Sequence, residues 1–303
     1  MSAQSKIPYV RLGNSGLKVS KIILGTMQYG SSEWQQWVLG EEEAIKHIKA
    51  AYDAGIQSFD TANVYSNGLS EIILGKAIKE LKLPRDEIVV MTKVFGTVAR
   101  EFGTNLIAQG VSPDSVGYVN QHGLSRKHIF ESVKHSLERL QLDYIDLLQY
   151  YAINNKLTPF ISVQNHYSLI YREEEREMFP SLKHFGVGSI PWSPLARGLL
   201  TRPVSGQSKR GDTDWFISRY SEAPGTNEII GRVEEVAKKR GISMAQVSIA
   251  WILSKEGVSA PIVGTTSLKN LEDIIAGVHA KLTDEEIKFL EEPYKPQNII
   301  GHQ

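Results

Sequence analysis

Apolar residues alternate with polar ones in short runs, then recur at helical spacing, and the two patterns take turns along most of the chain. Residues 9–20 alternate around Asn14-Ser15-Gly16, which predicts a β-hairpin. A short apolar strand is predicted at 22–25. Across 41–54 the residues Ala44, Ile45, Ile48, Ala51 and Tyr52 keep helical spacing up to Gly55, a helix stop. A second strand, 58–61, feeds a helix at 70–81 with Ser70 as candidate N-cap, and a third strand covers 87–93. A long glycine-containing loop, 95–124, precedes helix 125–140 and is a candidate substrate lid. Strands follow at 143–149, 160–164 and 187–191. Helix 173–185 lies between the last two, with Glu173-Glu174-Glu175 as a solvated first turn favoured by the helix dipole. A second loop, 200–226, carries Trp215, Phe216 and Tyr220. Helices 227–240 and 243–254, a last strand 261–264 and helix 268–277 complete the order.

Strands alternating with helices of these lengths predict an α/β fold, a parallel sheet with helices outside. The simplest form is a (β/α)8 barrel of the TIM type, behind an N-terminal β-hairpin and forming one domain over 1–303. Only seven barrel strands can be counted, however. Between Gln149 and Phe160 lie ten residues, Tyr150 to Pro159. A parallel crossover needs about a dozen or more, usually with a whole helix. The barrel is therefore expected to lack one strand and its helix.

Composition narrows the function classes. The chain has 303 residues, 41% hydrophobic and 22% charged, enough for a large core. The formal net charge is zero and no basic tract stands out, so nucleic acid is a poor partner. With no cysteine, disulfides, thiolate catalysis and Cys-based zinc sites are excluded, and no metal site is expected. No signal peptide and no apolar run of membrane-spanning length is evident, so a soluble cytoplasmic protein is the default expectation.

The chemistry concentrates at two successive strand ends. Phe59-Asp60-Thr61-Ala62-Asn63-Val64-Tyr65 places an acid and a phenol on the second strand and the loop after it, and the third strand ends at Lys93. Tyrosine titrates ordinarily near about 10 and lysine near about 10.4. A buried Lys93 cation favours the phenolate of Tyr65 and lowers that pKa, and Asp60 compensates the buried ammonium. The three are candidate catalytic residues for protonating a carbonyl oxygen. No G-x-G-x-x-G follows a strand, which argues against a Rossmann domain.

The order of motifs closely resembles the aldo-keto reductase family, fungal members above all, many of which reduce aromatic or polyketide-type carbonyls in secondary metabolism. The matching residues are Gly25-Thr26-Met27, the Asp60/Tyr65 segment, Lys93, Gln164 in Ser162-Val163-Gln164-Asn165-His166-Tyr167, Trp192-Ser193-Pro194-Leu195-Ala196-Arg197-Gly198 and Gly264-Thr265-Thr266-Ser267. The resemblance implies an NADP-dependent oxidoreductase reducing an aldehyde or ketone, with Tyr65 as proton donor. It assigns cofactor contacts to Gly25, Thr26, Met27, Gln164, Trp192, Ser193, Leu195, Gly198, Gly264, Thr265, Thr266, Ser267, Lys269, Asn270 and Asp273. Trp192 would stack on the nicotinamide and Gln164 would hold its carboxamide. The 264–270 segment, a hydroxyl-rich helix start, would take the 2′-phosphate. Hydroxyls there are also ordinary N-caps.

Against the family, the chain lacks the histidine that follows the strand ending at Gln149, and residues 151–157 resemble the tail of a later helix. About one βα unit, roughly forty residues, is missing. The neighbours must then close up, pairing Leu147 directly with Ile161, or leave open edges. A second reading follows: a catalytically impaired or inactive member that binds cofactor or a partner, as regulatory channel subunits of the family do. His122 and His166 lie where they could meet substrate, but packing or solvated roles are the simpler assignment. Oligomeric state is not legible.

Overall fold

A computed structural model of the protein describes residues 7–106, 108–149, 160–206, 208–214 and 216–299. Its strands are β1 (Tyr9–Arg11), β2 (Lys18–Ser20), β3 (Ile23–Gly25), β4 (Ser58–Asp60), β5 (Val89–Lys93), β6 (Leu147–Gln149), β7 (Ser162–Val163), β8 (Gly188–Ser189) and β9 (Ile262–Val263). The helices are α1 (Glu41–Asp53), α2 (Leu69–Glu80), α3 (Arg126–Leu140), α4 (Met178–Phe185), α5 (Lys209–Thr213), α6 (Ser218–Ser221), α7 (Thr226–Arg240), α8 (Met244–Ser254), α9 (Leu268–Gly277) and α10 (Asp284–Glu291). The α/β class is as expected, and no helix among the described residues is long and apolar enough to cross a membrane. The expectations for Tyr150, Trp215 and the connection 150–159 lie outside the described residues. The chain divides into two compact units, one within 24–152 and 264–268, the other within 1–23, 153–263 and 269–303.

In the first unit β3, β4, β5 and β6 pair in parallel, with Gly25 opposite Asp60 and Asp60 opposite Met91. Strands β4 and β5 are buried nearly throughout, as a parallel sheet covered by helices requires. Helix α1 turns Ala44, His47, Ile48 and Ala51 inward, the i, i+3, i+4, i+7 spacing of one helix face. Helix α3 starts at Ser125, whose side chain accepts from the His128 N–H. Helices α2 and α3 touch at Gly75, where an added Cβ would lie 2.3 Å from the Leu140 carbonyl oxygen. Replacing Gly75 by Ala must push the two backbones apart. A loss of about 1–3 kcal/mol is expected from such overpacking, outweighing a gain of about 1 kcal/mol in helix propensity. Urea unfolding of Gly75→Ala checks this, and an unchanged or raised midpoint would contradict it.

In the second unit β7 and β8 pair in parallel. The Ser259 and Ile262 N–H groups donate to the Ser189 and Pro191 carbonyls at 2.8 Å, carrying the ladder to β9, and Ile23 donates to Pro261. The predicted hairpin is formed by β1 and β2, which pair antiparallel with Tyr9 opposite Ser20. Its turn leans on the start of β8, where a side chain at Gly13 would meet the Gly186 carbonyl. Tyr167, Leu200, Tyr220, Val233, Val247 and Trp251 form the core of this unit.

Three expectations are corrected. Ser70 is not an N-cap: α2 begins at Leu69 after the left-handed Gly68. The Ser70 hydroxyl instead reaches Thr26, 2.8 Å from both its hydroxyl and its carbonyl oxygen. The Glu173–Glu175 turn is not a solvated helix start. It is a separate 3₁₀ turn ahead of α4. Glu175 takes Arg172 and the Tyr167 hydroxyl, and Glu173 takes the Tyr294 hydroxyl and the Gln297 N–H. Nearby Arg172 and Tyr167, together with Tyr294 and Gln297 from far along the chain, draw the carboxylates inward. Strand β6 starts at Leu147 rather than 143. Among the described residues β6 pairs only with β5 and β7 only with β8. Leu147 and Leu148 are only half-buried, unlike their counterparts in β4 and β5.

Candidate active site

Parallel pairing sets the geometry of the first unit. Asp60 lies opposite Met91, and the ladder continues past the strand end through Thr61 N–H to the Met91 carbonyl. Lys93 is two residues beyond Met91 and so projects to the same side of the sheet. Its ammonium donates to Asp60 Oδ2 at 2.6 Å and to the Thr61 carbonyl at 2.8 Å. It also stands 4.9 Å from the centre of the Tyr65 ring. The three residues picked out at the strand ends thus meet at one point. Burial by itself would lower the Lys93 pKa, but the Asp60 carboxylate and the Tyr65 oxygen outweigh it and hold the value above 10.5. Lys93 is therefore a fixed cation at neutral pH. The Trp34 ring lies 6.4 Å from that of Tyr65, centre to centre.

Around this point Thr26 donates its N–H to the Asp60 carbonyl, while its side chain is spent on Ser70. Gly25–Met27 therefore offers backbone rather than a hydroxyl. Gln28 Nε2 donates to the Gly25 carbonyl, and a Cβ at Gly264 would come 2.5 Å from Gln28 Oε1. The buried His47, whose pKa burial lowers despite Glu43 and the Thr265 backbone, bonds to Thr265. Gln28 and His47 thus seat the 264–265 turn, and neither was picked out beforehand. Thr266, Lys269 and Asn270 are exposed, and Thr265 and Ser267 half-buried. Asp273 accepts from Ser243 at 2.6 Å and Gln246 at 2.7 Å.

In the second unit Trp192 is half-buried, with one face stacked on His166 at 4.1 Å. His166 is stacked in turn on Tyr171, and its Nε2 shares a 2.7 Å hydrogen bond with the Tyr220 hydroxyl. The packing role for His166 is the one observed. Burial pushes the Tyr220 phenol up to about 12, against Arg197 and a hydrogen bond with Ser193. His122 bonds Asp114 at the surface. After Trp192 the backbone turns left-handed at Ser193, Ala196, Arg197 and Gly198, while Leu195 is buried. Arg197 and Arg210 converge on the buried Asp214 at 2.6 and 3.0 Å. Gln164 is half-buried. Beside it, the Asn165 Nδ2 is buried with no partner among the described residues.

A second layer escaped the sequence reading. Glu71, fully buried, accepts from the Thr92 hydroxyl at 2.6 Å and from Arg139 Nε at 2.7 Å. It ties α2 to α3 and to the residue before Lys93. Its partners stand 21 and 68 residues away, so only the buried position of an acid on a helix could have pointed to it.

A phenol, a lysine cation and a buried carboxylate thus meet where two parallel strands end. The family model for the aldo/keto reductases matches residues 21–154 and 149–295. A Schizosaccharomyces pombe protein provisionally named an aryl-alcohol dehydrogenase is 44% identical over 353 aligned positions, covering 99% of each chain. Versiconal hemiacetal acetate reductase of Aspergillus parasiticus is 44% identical over 344 positions, 96% of this chain and 98% of that one. Aldo-keto reductase dtxS3 of Metarhizium robertsii is 41% identical over 351, covering 99% and 94%. The chain belongs to the aldo/keto reductase family, oxidoreductases of the (β/α)8 barrel fold that act on small carbonyl compounds, typically with nicotinamide cofactors. The alignments run to 353, 344 and 351 positions although the chain has 303 residues, so about fifty positions of each relative have no counterpart here. The two stretches matched by the family model meet at 149–154.

Proposed function

We propose that this chain is an NADP-dependent reductase of aromatic or polyketide-type aldehydes and ketones, acting in the cytoplasm. The observation that carries the reading is the Lys93 ammonium held between Asp60 and Tyr65. The names of two relatives, an aryl-alcohol dehydrogenase and a hemiacetal acetate reductase, support the substrate class.

The residues present fit a nicotinamide dinucleotide. The half-exposed indole of Trp192, backed by His166, offers a flat surface for a ring. The Asn165 Nδ2, without a partner among the described residues while its Oδ1 accepts the Ser189 hydroxyl, suits a carboxamide next to Gln164. Left-handed backbone at Ser193, Ala196, Arg197 and Gly198 is of the kind from which anion-binding concavities for a diphosphate are built. Thr265, Thr266, Ser267, Lys269 and Asn270 suit the 2′-phosphate. Asp273 acts by holding the start of α8. Bound NADPH supplies the hydride. Tyr65 donates the proton to the carbonyl oxygen, Lys93 stabilises the phenolate left behind, and Asp60 keeps Lys93 charged and in place.

NADPH should bind at least about ten-fold more tightly than NADH, a difference of about 1.4 kcal/mol. Lys269→Ala should erase the preference by weakening NADPH alone. Fluorescence titration with both cofactors reads this directly, and equal affinities would refute the assignment of 264–270.

A specific observation favours a second reading, an impaired enzyme. The family match breaks at 149–154 and about fifty positions are lacking. We infer that they form the βα unit after Gln149, with the histidine that helps hold the substrate carbonyl. Removing one such donor costs about 10²–10³ in rate. Turnover by the chain as it stands is expected to be weak.

A further inference from the structure

The residue two places after Tyr65 is more heavily engaged than any other in that loop. Asn67 is 6% exposed and sits in left-handed backbone at φ 52°, between Ser66 at 46° and Gly68 at 94°. Three left-handed residues in succession are costly for any chain that is not held there, because only glycine and, to a lesser degree, asparagine adopt this region readily. The side chain does the holding. Asn67 Nδ2 donates to the Glu101 carbonyl at 2.8 Å and the Thr104 carbonyl at 2.7 Å, with the Phe102 carbonyl at 3.4 Å. Its Oδ1 accepts the Ala99 N–H at 2.9 Å. One amide thus fastens four backbone groups of a single segment, residues 99–104.

That segment borders the Tyr65 loop and continues to the 33–34 stretch, whose Trp34 ring lies 6.4 Å from that of Tyr65. Asn105 Nδ2 approaches the Trp34 carbonyl at 3.5 Å, and a Cβ at Gly103 would strike the Glu33 side chain. The Arg100 N–H donates to the Tyr118 hydroxyl, joining the segment to the far half of the long loop. Ser66 accepts the Ser31 N–H, and Gly30 leaves no room for a Cβ beside the Ser66 hydroxyl. Residues 99–104 are indexed to the Tyr65 loop through the Asn67 amide, while the Ser66 hydroxyl of the same loop turns to residue 31.

We propose that Asn67 is a positioning residue: it registers the 99–104 segment, and the substrate wall it forms, against the phenol of Tyr65. The assignment rests on the reading of Tyr65 as proton donor. It predicts that the amide sets the fit of bulky substrates more than that of small ones.

The test uses Asn67→Gly and Asn67→Asp in the full chain. Glycine tolerates the left-handed backbone and removes only the amide. Aspartate keeps the acceptor for Ala99 but sets oxygen against the Glu101 and Thr104 carbonyls. Hydrogen exchange over 99–104 should quicken about ten-fold or more in both variants, with α2 and α3 still protected. The KM for 2-naphthaldehyde should rise about ten-fold while that for propanal stays within about two-fold, the mark of a lost wall rather than lost chemistry. Unchanged exchange over 99–104 overturns the proposal whatever the activity. Faster exchange with equal KM changes for both aldehydes overturns the positioning role. Should the unaltered chain reduce neither aldehyde, the reductase reading fails first, and the Kd of 2-naphthaldehyde by titration calorimetry replaces KM: about ten-fold weaker binding in both variants supports the wall, and unchanged binding sinks it.

Discussion

Inserting between Gln149 and Tyr150 the roughly fifty residues that the relatives carry is expected to raise carbonyl reduction by about 10²–10³, the usual worth of one donor to a reacting oxygen. Stability should rise with it. Among the described residues, α3 carries an exposed patch with several apolar side chains. Phe130 is 61% exposed, and with Val133, Leu137 and Leu142 it lines a shallow groove of about 560 Å³. Leu147 and Leu148 are half-buried at the sheet edge. A restored strand would pair with the edge of β6 that has no strand partner among the described residues, and its helix would cover apolar surface worth about 25 cal/mol per Å². An increase in Tm of roughly 5 °C or more is expected, since about 1 kcal/mol moves a larger domain by about 2–4 °C. Steady-state assays and calorimetry on the two proteins decide the matter. If the shorter chain already equals the longer in both, the lacking unit is not a defect, and β6 is a working edge.

Replacing Lys93 by methionine should have two separable consequences. The Asp60 carboxylate, 2% exposed, would be left buried without its cation, and breaking a buried pair this way costs about 3–5 kcal/mol. The double change Lys93→Met with Asp60→Asn removes the stranded charge and should recover most of that stability. Activity should not return, because the cation beside Tyr65 is still missing, and a loss of about 10²–10⁴ is expected for a crippled proton donor. Recovery of turnover in the double variant would show that Lys93 serves the fold and not the chemistry. The pair also predicts an alkaline limit. The folded state holds the Lys93 pKa above 10.5, so its stabilising contribution is complete below that pH and is lost as pH climbs through the raised value. The Lys93→Met/Asp60→Asn protein should lose this pH dependence.

What could be read in the chain beforehand was what local spacing determines. Asp60, Tyr65 and Lys93 were legible because each closes or follows a short apolar strand, and parallel register brings successive strand ends together. The hairpin around Asn14 and the inward face of α1 were legible for the same reason. Asn67 followed by Gly68 carries a left-handed turn signal, yet nothing nearby says that its amide will seize residues 99–104. Ser70 matched an N-cap by position and failed because Thr26, 44 residues earlier, offers a buried hydroxyl and carbonyl. The run Glu173 to Glu175 reads as solvated until Tyr294 and Gln297 arrive from the end of the chain. His166 could be placed near the site but not inside an aromatic stack, since Tyr171, Trp192 and Tyr220 converge on it only after folding. Each miss is a contact made at long range, where pattern along the chain has no purchase.

The central claim is that Tyr65 protonates a carbonyl while hydride arrives from the nicotinamide. Incubating the protein and its Tyr65→Phe variant with NADPH deuterated at the transferring position of C4 and an aromatic aldehyde, then weighing the alcohol by mass spectrometry, tests it most directly. The account predicts slow formation of singly deuterated alcohol by the unaltered chain, reduced by at least about 10² when the Tyr65 hydroxyl is removed. Deuterated alcohol formed equally fast by Tyr65→Phe, or none formed even by the chain with the lacking unit restored, would contradict it.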